Sequence, residues 1–85
     1  MITDSLIQVW LDGVRNASGE LMNNRIKAIL NMSVPRTVLL EKHKSLEPMT
    51  DDQMKETILF INEIRPNSET KEEDAKMVYT IGNLL

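Results

Sequence analysis

Apolar positions recur along this chain at three- and four-residue intervals, and nowhere do they alternate with polar ones over strand length. That periodicity predicts an all-α protein, a compact bundle of about five short helices in a single domain spanning residues 1–85. A first helix is expected from Asp4 to Arg15, with Thr3 as its cap. Its apolar arc of Leu6, Val9, Trp10 and Val14 centres on Trp10, and Ile7 and Leu11 widen it. After the turn Asn16-Ala17-Ser18-Gly19, with Ser18 as the next cap, a second helix runs from Glu20 to Leu30. Its apolar face holds Met22, Ile26, Ile29 and Leu30. Asn31 suits a left-handed helix end, Ser33 can cap the third helix, and Pro35 fits a first turn where no N–H is needed. That third helix extends to Lys44 or Ser45, with Val38, Leu39 and Leu46 on one face.

The fourth helix has the strongest local signature. Thr50-Asp51-Asp52-Gln53 is a capping box: a threonine hydroxyl to accept from the N3 amide and a glutamine to return the bond. Met54, Ile58, Ile61 and Ile64 form its apolar face, with Phe60 at the edge and Leu59 pointing away. Pro66 stops it, because the residue before proline disfavours helical dihedrals. The fifth helix begins after Ser68 or Thr70, and Thr70-Lys71-Glu72-Glu73 is a second capping-box pattern. Glu72, Glu73 and Asp74 load its first turn as the helix dipole prefers. Ala75, Met77, Val78, Ile81 and Leu85 supply its apolar stripe, Leu84 borders it, and Tyr79 falls on the polar side. One core is expected from Trp10, Ile26, Leu39, Ile58, Ile61, Val78 and Ile81.

Charge divides the chain into three segments. Residues 1–21 carry −2, residues 22–46 carry +4 and residues 47–85 carry −5, which sum to the net −3. The basic middle coincides with the stretch around the second turn. There Leu30-Asn31-Met32-Ser33, followed by Arg36-Thr37-Val38, resembles the L-G-V-S-x-x-T-V turn of helix–turn–helix DNA-binding domains. Thr37-Val38 come one residue late for that pattern, and Pro35 stands where recognition helices seldom carry proline. The resemblance covers about a quarter of the chain and implies a DNA-binding third helix. Overall acidity argues against a protein held on nucleic acid by bulk electrostatics. Lys42, His43 and Lys44 also have a local reason to be basic, since positive charge suits a helix C-terminus.

Catalytic chemistry finds little to stand on. The absence of cysteine removes disulfides, thiolate nucleophiles and thiolate-bound metals. His43, the one histidine, has no partner set at metal-ligand or triad spacing. The carboxylates gather at helix starts, and the three glycines form no phosphate loop. Asp4-Ser5-Leu6 matches the tripeptide that bears the prosthetic group in acyl carrier proteins, but there it opens a second helix. Two Asn-x-Ser triplets, at Asn16 and Asn31, read as chance without a secretion signal. The N-terminus has neither the basic segment nor the apolar run of a signal peptide, and no stretch is long enough to span a bilayer. A cytoplasmic location is the expectation, with no enzyme activity, cofactor or metal.

Three functions remain. The first is a small regulatory or adaptor protein that acts by binding another protein, a profile shared by small inhibitors and antagonists, including those made by phages. Its expected contact residues are Arg36, Leu40, His43 and Lys44, a basic face containing a leucine, and Leu59, which is apolar against its own helix's phase. The second is a DNA-binding regulator using the helix after Ser33. The third is a structural subunit of a homo-oligomer.

Overall fold

The computed structural model describes residues 4–85, side chains from residue 5. They form five helices: α1 (Asp4–Arg15), α2 (Gly19–Leu30), α3 (Ser33–His43), α4 (Asp51–Ile64) and α5 (Lys71–Leu84). No strand occurs among the described residues. The expected cap Thr3 lies outside them. Helix α5 is the hub: α4 and α3 pack on it most extensively, and α2 touches α3, α4 and α5, while α1 lies chiefly along α2. The globule measures 31 × 29 × 21 Å.

Ile7, Leu11 and Val14 from α1, Ile26, Ile29 and Leu30 from α2, Leu39 from α3, Ile61 and Ile64 from α4, and Ala75, Met77 and Ile81 from α5 make one buried cluster. The expected core is corrected at three residues. Trp10, Ile58 and Val78 are only partly buried and pack against the cluster from its margin. In α1 the buried line is Ile7-Leu11-Val14, leaving Val9 66% exposed and Leu6 exposed as well. The apolar arc of that helix is wider than the surface it packs against, and the edge carrying Ile7, Leu11 and Val14 is the one that goes in. The apolar face expected of α3 is corrected too: the helix ends at His43, so Leu46 lies in the turn beyond it.

Helix capping agrees with the expected pattern at α4 and departs from it at α2, α3 and α5. The Thr50 hydroxyl accepts from the Gln53 amide at 3.1 Å and the Gln53 side chain accepts from the Thr50 amide at 2.9 Å, a complete capping box. The helix stops at Ile64, before Arg65-Pro66. Ser18 makes no side-chain cap bond, and Met32, not Ser33, occupies the N-cap position of α3. Asn31 is right-handed (φ −87°), so α2 does not close through a left-handed residue. What separates α2 from α3 is Pro35 in the first turn of α3. It cannot donate to the carbonyl of Asn31, and its ring would collide with that carbonyl in a continuous helix. Gly19 opens α2 at φ +57°, a conformation strained for any residue with a Cβ.

Thr70 also departs from its expected capping box, because Asp74 draws its side chain away. It makes no cap bond and donates instead to that carboxylate. Asp74 shares a face with Met77 and Ile81 and is 0% exposed. Arg36 Nη2 reaches its Oδ1 at 2.6 Å and Arg65 Nη1 its Oδ2 at 3.0 Å. The Ser68 hydroxyl adds a bond of 2.6 Å. Arg36 Nη2 also donates to the Leu30 carbonyl at the end of α2 (2.9 Å). One carboxylate thereby joins α3, the end of α4, the α4–α5 loop and α5, and its arginine closes the end of α2 as well. No helix of the described residues is long and apolar enough to cross a membrane.

Candidate docking groove

Helices α3 and α5 lie side by side and leave a shallow groove of about 420 Å³. Thr37, Leu40, His43 and Lys44 line it from α3 and the residue after it, and Glu73 and Lys76 from α5, with Glu41 at the rim. The sequence periodicity of α3 is what gathers the first four, because residues 37, 40 and 44 recur at three- and four-residue steps. Leu40 is half-buried against the core, which makes it a wall of the groove and not a projecting side chain.

His43 is fixed from α5. Its Nδ1 lies 3.2 Å from the Thr80 hydroxyl, and its ring meets Tyr79 edge-on with centroids 6.0 Å apart. The Thr80 hydroxyl has a single proton, which it donates to the Lys76 carbonyl at 2.8 Å. It must therefore accept from His43, so Nδ1 carries the proton of the neutral ring. Nε2 is left as an acceptor that bonds no described residue and is reached by solvent. Partial burial and, second, the nearby Lys76 ammonium hold the imidazole below the ordinary histidine range.

The charges of the groove are unequal in their engagement. Lys44 pairs with Glu41 at 3.2 Å, and Glu73 pairs with Arg36 at 3.3 Å. Lys76 forms no ion pair with a described residue. The groove therefore presents one uncompensated ammonium beside an imidazole, over an apolar wall.

Of the five residues that the sequence singles out, the fold brings together Leu40, His43 and Lys44. Arg36 is on the same helix, but its side chain is only 23% exposed and is occupied by Asp74, Glu73 and Leu30. Leu59 is apart from the groove, 65% exposed on the outer face of α4. Sequence reasoning misses Lys76, Thr80 and Asp74. A usable sign exists for Asp74: it stands at i−3 and i−7 from Met77 and Ile81, a carboxylate in line with an apolar stripe. For Lys76 and Thr80 nothing local gives a sign, since their role depends on which helix lies beside α5.

Comparison with protein-family models, with curated proteins and with solved structures found no match. Among the described residues no group of three His, Asp or Glu side chains could hold a metal ion.

Proposed function

We propose that this chain is a small non-enzymatic regulatory or adaptor protein that acts by binding another protein, with the α3–α5 groove as its docking surface. The observation that carries this reading is the composition of the groove: a half-buried leucine wall beside Lys76, the histidine and Lys44. Interfaces of this kind combine an apolar anchor with charges that steer the encounter. Exposed Leu59 adds a second apolar contact on α4. A cytoplasmic setting fits a cysteine-free acidic chain.

The DNA-binding alternative draws less support. Its main candidate, Arg36, is held internally, and the exposed residues at the start of α3 are Ser33, Val34 and Thr37, none of them basic. Phosphate neutralisation needs several free cations on one surface. The test uses the intact chain immobilised in a lysate of the producing cell, beside Leu40→Ala and Lys44→Ala variants of confirmed fold. A protein retained by the parent and lost with Leu40→Ala supports the reading. Retention of nucleic acid instead, weakened by Lys44→Ala and by salt and indifferent to Leu40→Ala, would overturn it.

A further inference from the structure

The outer face of α4 carries a second unpartnered pattern. Asp52, Glu56, Leu59 and Glu63 recur at steps of four, three and four residues, so they form one stripe along the helix. All four are exposed, and none of the three carboxylates pairs with a described cation. Leu59 is flanked by an acid one turn to each side, with Glu56 and Glu63 about 10 Å apart along the axis at 1.5 Å per residue. Lys55 borders the stripe without entering it.

This stripe is the chemical complement of the groove. The groove has an apolar wall, Leu40, beside the imidazole of His43 and the ammonium of Lys76, which forms no ion pair with a described residue; its other charges are already paired, Lys44 with Glu41 and Glu73 with Arg36. The stripe has an apolar knob between carboxylates. They belong to different faces of the molecule, and Leu59 stays exposed in the single chain, so neither satisfies the other internally.

We propose that the occupant of the α3–α5 groove is the α4 stripe of a second copy of this chain, with Leu59 of one copy against Leu40 of the next. The idea rests on reading the groove as a protein-docking surface, and it names what docks there. The contact is heterologous: each copy offers a groove and a stripe, so association runs head to tail and ends in a ring or a short open chain. One helix face in a shallow groove is a small interface, of the weak, concentration-dependent class. Charge pairing at its rim makes it sensitive to salt. Self-association then competes with any other protein for the same groove, which would regulate the chain by its own concentration.

The test is sedimentation velocity of the full chain over a concentration series, at low and high salt, with two surface variants whose fold is checked by circular dichroism. Leu59→Ser damages the stripe and leaves the groove. Lys76→Glu damages the groove and leaves the stripe. The parent is expected to sediment faster as concentration rises, less so in high salt, and each variant alone to associate at least about tenfold more weakly. Mixing the variants is expected to restore a one-to-one complex that grows no further, because one intact groove meets one intact stripe. A two-fold symmetric dimer through either face would show no such rescue and would overturn the proposal, as would a parent that stays monomeric throughout. A monomeric chain that still captures a partner dependent on Leu40 would overturn this inference alone and leave the docking reading standing.

Discussion

Arg36 on α3 and Asp74 on α5 meet at 2.6 Å, tying together the two helices that flank the groove, and the same guanidinium nitrogen donates to the Leu30 carbonyl at the end of α2. A fully buried carboxylate is stable only when its oxygens are bonded, and here each oxygen has a guanidinium and a hydroxyl. Removing one partner leaves part of that charge unanswered. Arg36→Ala is expected to cost about 3 kcal/mol, the lower end for breaking a buried pair because Arg65 remains. Arg36→Lys should recover little, since one ammonium cannot reproduce the fork that serves both Asp74 and the Leu30 carbonyl. Urea melts of the three proteins decide the matter. A loss under about 1 kcal/mol in Arg36→Ala, well short of a broken buried pair, would mean that Arg65 and the hydroxyls suffice alone.

That pair also marks where the sequence is legible and where it is not. The five helices, the α4 capping box and the exposure of Leu59 depend on three- and four-residue spacing and on local bonds, which a linear pattern records. Arg36 reads as a surface cation and Asp74 as a dipole charge, because each is ordinary among its own neighbours; only the meeting of α3 with α5 buries them. Val9 and Trp10 show the same limit in apolar form. A helix with a broad apolar arc does not say which of its edges the rest of the fold will cover. The comparison of Leu40 with Lys76 is alike: the leucine stands out within its own helix, and the lysine gains its place from the helix beside it.

Ile61 is 0% exposed at the centre of α4's buried face. Ile61→Ala is expected to destabilise by about 2–5 kcal/mol through lost transfer energy and the cavity left behind. Ile58→Ala, at the margin of the same helix, should cost clearly less. Equal losses in denaturant melts would place the two in the same environment and contradict the packing described.

Thr50 and Thr70 offer a comparison between a threonine that caps and one that does not. Thr50→Ala removes an acceptor for the Gln53 amide and should cost about 0.5–2 kcal/mol, with Thr50→Ser recovering most of it. Thr70→Ala removes a 3.3 Å bond to Asp74 and no cap bond. Its effect should therefore depend on Asp74: in a double-mutant cycle with Asp74→Asn, the Thr70 effect changes, whereas the Thr50 effect adds independently. Additivity at both threonines would remove Thr70 from the network.

His43, the one histidine of the chain, gives the groove its own reporter. Partial burial, then Lys76, lowers its pKa from the ordinary 6.5, so the unfolded chain takes up this proton at a higher pH than the folded chain. The contribution to stability is therefore complete above the ordinary value and is lost as pH falls through it towards the folded pKa. Protonation leaves Nδ1–H donating to Thr80, so that bond does not resist the change; the resistance comes from burial and from the neighbouring ammonium. Lys76→Met is expected to raise the His43 pKa towards 6.5 without reaching it, because burial is the larger cause and persists. His43→Gln should remove the fall in stability over the same interval. An NMR titration of the imidazole tracks the first and urea melts at a series of pH values the second. The nitrogen shifts should report Nδ1 as the protonated site of the neutral ring. A histidine titrating at or above 6.5 in the folded parent, or a neutral ring protonated at Nε2, would mean that His43 does not sit against Thr80 and Lys76 in the way that gives the groove its charge.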